Sequence, residues 1–506
     1  MDSNEQSLSF AARAWLGLQS KSARSCPLCL SLFEEYIWRF DLKEDAVMGI
    51  ESHNLPTYQS SEGDYRHVFS YHPMDIPIAR ADGVYLFDDN DNRYFDVSGG
   101  PMAVNLPHNH PRMKAAITEQ LDKYSYTHPV LADPLRAKFC RMLAEVTPGD
   151  LDHIYLVSGG SEAVETAIKA ARQAQMARGF KDKYKIISHH DSYHGMTLAT
   201  LGVSGSPGTH KPYVPMIPKW PHIRQYSDFD KPDHLSREEW GVECAKALET
   251  AIHYEGEQTV AAFIATPHGA GPDYGVVPPT SYWQTIREIC DRYNVLLIAD
   301  EVVSGFARTG EWFAMEHFGV TPDIMTLAKG ISSCYVPLGA VAISASLNQP
   351  FADGHAHFIH GFTNGGHPLA CAAGIELLEI IKDEQLLENC REQESVLFSY
   401  KESLLAHPTV KDVRGWGLFM VLELVKDKST MEFFEPSLQA EHLFQAITLK
   451  NGLVMYGSLY GARRQPAFRR GLPAWISPPL SISSDEIHDM MGRLDSALTE
   501  WESAVL

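Results

Sequence analysis

The sequence predicts an α/β fold built on a largely parallel sheet, and two observations carry that expectation. From about residue 112 to 350, short apolar runs alternate with helical stretches, the pattern of a sheet covered by helices on both faces. Several of those runs end on residues with chemically active side chains, and in parallel sheets ligands gather beyond the carboxyl ends of the strands. The 506 residues and 44% hydrophobic content exceed one ordinary domain. A second, smaller α+β domain is therefore expected beside the large one.

Taken in order, residues 1–60 read as an N-terminal extension and 50–82 as a polar, extended lead-in. Val84-Tyr-Leu-Phe87 and Tyr94-Phe95 flank Asp88-Asp-Asn-Asp-Asn92, which reads as a hairpin. Residues 61–111 are assigned to the small domain, 112–360 to the large one and 361–506 to the C-terminal part of the small domain. The expected strands of the large domain are 154–157, 185–188, 261–265, 295–299, 324–327 and 340–343. A helix is predicted from Ser161, because Val164, Ala167, Ile168 and Ala171 recur at helical spacing. Beyond 360 come one long helical stretch from Ala370 to Lys401, the run from Val413 to Leu424, and Trp475-Ile-Ser-Pro-Pro-Leu480.

Charge excludes some partners. Lys and Arg number 43 against 64 Asp and Glu, a net charge of −21, which repels phosphate backbones and anionic lipid. No run of eighteen apolar residues is present, so no membrane partner is expected. Of eight cysteines only Cys26 and Cys29 stand at C-x-x-C spacing, with no second pair to complete a zinc site. They read as two ordinary thiols, and a reducing, cytoplasmic setting fits. Arg13, Lys21 and Arg24 among Ser and Ala resemble a mitochondrial presequence; Asp2, Glu5, Glu34 and Glu35 argue against one. His355, His357 and His360 invite a metal reading, but no Cys or acid adjoins at a ligand spacing, and they are expected at the site entrance or a subunit contact.

Four features carry chemistry. Ser158-Gly-Gly-Ser161, between a strand and a helix, suits a phosphate held by backbone N–H groups and a helix start, though such turns are also ordinary packing devices. Asp191-Ser-Tyr-His-Gly195 offers Tyr193 either as a plate over a flat ring or as a core tyrosine. Asp300 closes a run too apolar to carry an unpaired charge, and a protonated pyridine nitrogen could pair with it. Lys329 is either a solvated loop residue or an amine held in a partly desolvated cleft, as Schiff-base chemistry requires. Together and in this order, a phosphate cup, a ring plate, a buried acid and a lysine point to pyridoxal 5'-phosphate (PLP).

The motifs Ser158-Gly-Gly-Ser-Glu-Ala163, Tyr193-His-Gly195, Asp300-Glu-Val-Val-Ser-Gly-Phe-Ala-Arg-Thr-Gly310, Thr326-Leu-Ala-Lys-Gly330, Pro337-Leu-Gly339 and Gly365-Gly-His-Pro368 resemble those of class III aminotransferases. The resemblance runs from about residue 75 to the C-terminus. It implies PLP fold type I, with a mostly parallel seven-stranded-type sheet in the large domain. It also implies that Lys329 carries PLP as a Schiff base, that Asp300 pairs with the pyridine nitrogen, and that Tyr193 and Val302 press on the two ring faces. Gly160 and Ser161 would bind the phosphate, and Thr363 would reach the phosphate of a neighbouring subunit in a homodimer with shared sites. The implied reaction moves an amino group from an amine or amino acid to pyruvate, 2-oxoglutarate or an aldehyde by a ping-pong route. Its rivals are a decarboxylating aminotransferase or racemase of the same fold, and a non-catalytic binding protein.

Two departures bear on substrate. The family's Glu-Pro is Thr266-Pro267 here, so Arg414 of the Arg-Gly-x-Gly motif is expected to stand as an unneutralised cation that favours a substrate carboxylate. Trp475 stands where a subgroup, including the decarboxylating relative, has a carboxylate-binding arginine, with Arg469 and Arg470 as substitutes.

Overall fold

The computed structural model describes residues 67, 76–268, 275–435, 438–455 and 471–506, all within the compact unit Leu55–Leu506. The expectations for the N-terminal extension, for Cys26 and Cys29, for most of the 50–82 lead-in, and for Arg469 and Arg470 lie outside those residues.

A seven-stranded sheet forms the centre of the large part of the chain. Its strands are β4 (His153–Val157), β5 (Lys185–His189), β6 (His222–Ile223), β7 (Val260–Ala265), β8 (Leu296–Asp300), β9 (Ile324–Leu327) and β10 (Gly339–Ile343), in the order β4-β10-β9-β8-β7-β5-β6. β5 to β9 pair in parallel. β10 runs antiparallel to both β9 and β4, which leaves β4 pointing the same way as β9. The carboxyl ends of every strand but β10 therefore meet on one edge, the edge that carries Ser158, His190, Thr266, Glu301 and Ala328.

Side-chain alternation explains why both faces are covered. Ile187, Phe263 and Leu297 point into a core shared with the helices Arg237–Glu255 and Thr280–Tyr293. Ile186, Ile264 and Ile298 point into the opposite core, against the Gly160–Ala177 helix. Continuous apolar runs are the consequence.

Two smaller sheets flank this unit. β1 (Ile78–Asp82), β2 (Tyr85–Asp88) and β3 (Arg93–Asp96) form an antiparallel meander that contains the expected hairpin, and β3 then pairs in parallel with β13 (Leu453–Val454). The third sheet joins β11 (Val410–Trp416), β12 (Phe419–Leu424) and β14 (Leu472–Ile476), all antiparallel. The helical stretch expected from Ala370 to Lys401 is not continuous. It divides into Pro368–Asp383, Leu386–Phe398 and a helix opening at Lys401, and the first break falls at Gln385, whose φ of +53° is left-handed. No glycine or proline marks that break. Among the described residues no helix is long and apolar enough to cross a membrane.

Candidate functional site

Asp300 is 4% exposed at the end of β8, every residue of which is buried. Its Oδ1 accepts hydrogen bonds from Thr326 Oγ1 at 3.0 Å and from the Val302 amide at 3.2 Å. Its Oδ2 lies 2.7 Å from His194 Nδ1, and His194 Nε2 is buried with no hydrogen-bond partner among the described residues. Glu301, the next residue, accepts from the Met315 amide at 2.9 Å and from Ser304 Oγ, and burial pushes its carboxyl up to about 7. The two adjacent acids thus serve different groups, and Asp300 is the one tied to the loop ends.

Around Asp300 stand half-buried residues from several strand ends: Gly160, Ser161, Tyr193, Thr266, Val302 and Lys329. The Gly160–Ala177 helix begins beside it, with Gly159 in extended conformation and no side-chain cap, so its first-turn N–H groups are available to an anion. A Cβ on Gly160 would lie 3.2 Å from Val302 Cγ1 and 3.7 Å from the Cβ of Ala328, the neighbour of Lys329. Ser161 Oγ accepts from the Met196 amide at 3.2 Å, which ties the helix start to the loop that carries Tyr193. This donor set fits PLP: an uncapped helix start and Ser161 for the phosphate, a buried carboxyl group for a ring N–H, and an amine in the turn after the adjacent strand. Thr363 is exposed, and its carbonyl accepts from Tyr126 Oη at 3.1 Å.

Comparison with known proteins follows the same line. The family model of class III aminotransferases matches residues 68–498. A probable aminotransferase of Mycobacterium tuberculosis is 36% identical over 434 residues, covering 85% of this chain and 90% of its own length. A putrescine–pyruvate aminotransferase of Pseudomonas aeruginosa is 34% identical, with coverage of 85% and 91%. The crystal structure of an (S)-enantioselective omega-transaminase from Thermomicrobium roseum superposes with a TM-score of 0.79 at 35% identity, covering 87% of this chain and 95% of that one.

The chain belongs to the class III aminotransferases. It is an enzyme of a PLP-dependent family and has the fold of PLP fold type I, as the motifs implied.

In this aminotransferase the substrate-side expectations need correction. Arg414 is not an unneutralised cation: its guanidinium meets Asp412 Oδ2 and Glu423 Oε2, each at 2.7 Å. Burial alone would lower its pKa, but Glu423 and Asp412 outweigh that and hold it above its ordinary value. The reason lies in the β11–β12 ladder. Asp412 sits directly opposite Glu423, and Arg414 sits opposite Val421, so all three charged side chains share one face and the arginine bridges two facing acids. Thr266 therefore leaves no charge unpaired. The cleft onto which Arg414 opens has a volume of about 470 Å³ and is also lined by Phe229, Arg237 and Lys401; Asp300, Tyr193, Val302 and Lys329 are not among its lining residues. Trp475 is 2% exposed and packs with Met102, Phe419 and Val421, the last two from the neighbouring strand of its own sheet.

The sequence reading missed His194 and Thr326 as partners of Asp300. Both stood inside quoted motifs, beside Tyr193 and three residues before Lys329, but nothing local shows which acid they meet. His360 is also placed: its Nε2 lies 2.8 Å from Thr166 Oγ1 and its Nδ1 2.8 Å from Lys169 Nζ. Among the described residues no group of His, Cys, Asp or Glu is arranged to hold a metal.

Two predictions follow from these charges. Arg414→Ala leaves Glu423 facing Asp412 and should lower unfolding free energy in urea by about 3 kcal/mol, with little change in the KM for a carboxylate-bearing acceptor; a large KM rise at unchanged stability would restore Arg414 as a carboxylate binder. Burial holds His189 near pKa 3, and His222 and His268 near 4, against an ordinary 6.5. Their stabilising contribution is complete above pH 6.5 and is lost as pH falls toward those values. Glu301, held near 7, and Glu316 and Glu394, both raised by burial, have the opposite sign above their ordinary 4.5, but burial lowers His190, His317 and His360 as well, so six histidines stand against three acids. The melting temperature should therefore drop between pH 6.5 and 4.5, and His222→Phe should flatten that limb; a flat profile in the unmodified protein would contradict the assignment.

Proposed function

We propose that this enzyme is an omega-type transaminase that takes nitrogen from an amine or amino acid donor and passes it to a keto acid, pyruvate or 2-oxoglutarate, or to an aldehyde, in two half-reactions. The single observation that carries this is the buried Asp300 carboxyl group, held by His194, Thr326 and the Val302 amide beside the strand that leads into the Lys329 turn. Two relatives support the donor class: one is named for putrescine and pyruvate, the other is an omega-transaminase.

In this reading PLP, when bound, supplies a sink for the electron pair left on the amine-bearing carbon. Asp300 would face the ring nitrogen, and His194, Thr326 and the Val302 amide fix the orientation of its carboxyl group. Gly160, Ser161 and the helix start hold the phosphate. Val302 and Tyr193 limit the ring's tilt. Lys329 would hold the cofactor through Nζ, and the same amine would accept and return the proton at the amine-bearing carbon of the substrate. Thr363, exposed in this chain, fits a role at the phosphate of a second copy, so the active form is proposed as a homodimer with shared sites. The division proposed is a PLP-binding part spanning 112–360 and a smaller part formed by 61–111 with 361–506, the N-terminal 1–60 standing apart.

Two tests follow. Borohydride should fix PLP on Lys329, and Lys329→Ala should lose the reducible linkage; trapping at another lysine refutes the assignment. In the same preparation, amine donors should bleach the cofactor's visible band and pyruvate or 2-oxoglutarate should restore it, whereas carbon dioxide release would mark a decarboxylating enzyme. Asp300→Asn should retain cofactor yet slow proton removal by about a thousandfold or more. Turnover near that of the unmodified enzyme in Asp300→Asn would show the carboxylate to be misassigned.

A further inference from the structure

The turn that carries Lys329 is strained. Lys329, Ser333 and Cys334 have φ of +45°, +49° and +54°, left-handed values that cost non-glycine residues free energy and persist only where surrounding contacts impose them. Within the turn, the Ile331 and Ser333 amides reach the Ala328 and Gly330 carbonyls at 3.0 and 3.2 Å, the Ser332 and Cys334 amides reach the Lys329 carbonyl at 3.2 Å each, and Ser332 Oγ donates to the Val336 carbonyl at 2.7 Å.

The contacts that impose this shape come from far away in sequence. Ser333 Oγ accepts from two consecutive amides, Asn105 at 2.9 Å and Leu106 at 2.8 Å. Two residues further on, Tyr335 Oη donates to the Pro107 carbonyl at 2.6 Å and accepts from the His110 amide at 2.7 Å. Asn105, 1% exposed, also donates from Nδ2 to the Phe306 carbonyl at 2.7 Å and accepts from Arg308 at 3.0 Å. A Cβ on Gly330 would stand 2.7 Å from Asn105 Nδ2, so the residue after Lys329 lies directly against that amide. The 105–110 strand of backbone is thus a strap across the lysine turn, fastened at Ser333 and Tyr335 and backed by Asn105.

We infer that Asn105 and Ser333 are positioning residues for Lys329: the strap holds the turn left-handed and thereby sets where Nζ stands relative to the Asp300 carboxylate. The inference rests on the assignment of Lys329 as the cofactor-bearing lysine. Ser333 has both acceptor positions filled, so removing its hydroxyl leaves two buried amides unsatisfied and releases the turn at one fastening.

The test compares the holoenzyme with Ser333→Ala and Ser333→Gly, the latter accepting φ +49° without strain and so protecting the fold. Lys183→Met is the control: Lys183 Nζ donates to the Glu257, Val260 and Tyr293 carbonyls, at the edge of the sheet away from the lysine. Borohydride should still fix PLP on Lys329 in both serine variants. The pH midpoint of the bound cofactor's visible band should move by about half a unit or more, and the apoprotein's Kd for PLP should rise. kcat should fall about tenfold or more with donor KM changed far less. Lys183→Met should lower the melting temperature without moving the midpoint. If trapping stays on Lys329 and the midpoint is unmoved, or if Lys183→Met moves it equally, the strap has no positioning role; if trapping shifts to another lysine, the Lys329 assignment and this inference fall together.

Discussion

Asp300 carries a charge into the least hospitable part of the molecule, the end of a strand with no exposed residue, and the surrounding architecture supplies what that charge requires. Thr326 reaches it because β9 lies parallel to β8 with Thr326 opposite Asp300. His194 reaches it because the loop after β5 turns back over the sheet. Both contacts need strands that run the same way with their ends in register. A parallel sheet delivers that at one edge, which is why residues scattered from 158 to 329 form one site.

A second buried charge joins the parts of the chain. Arg308 is fully buried, and its guanidinium donates to the carbonyls of Val104, Leu418 and Pro478 and to Asn105 Oδ1. Neutral oxygens compensate it without a facing carboxylate, and burial pulls it down to about 10. It connects the segment before the first large helix, the turn into β12 and the segment after β14. Asn105 is shared between this arginine and the lysine turn, so the joint between the small sheets and the large one is mechanically continuous with the site.

Arg414 shows the opposite arrangement. An arginine that by family pattern loses its glutamate at position 266 is neutralised within its own sheet by Asp412 and Glu423. The compensation comes from cross-strand geometry: residues two apart on one strand face the same side, and the neighbouring strand brings Glu423 to the same side. Arg414 is therefore not the unneutralised cation that Thr266 implied.

Six of the seven strands of the large sheet, the helix after Ser158-Gly-Gly-Ser161, Asp300 and Lys329 as candidates, and the cofactor class were legible in the sequence, because apolar runs and helical spacing are local and the motif residues adjoin strand ends; the two-residue β6 was too short to show as an apolar run. The antiparallel direction of β10 was not, since a short apolar run reads the same in either direction. The break at Gln385 left no glycine or proline to mark it. The partners of Asp300, the neutralisation of Arg414, the burial of Trp475 and the strap from Asn105 to Ser333 were decided only by tertiary structure. Each joins residues that are distant along the chain or set by strand register, and an ion pair or hydrogen bond exists only once the backbone has brought its two ends within about 3 Å.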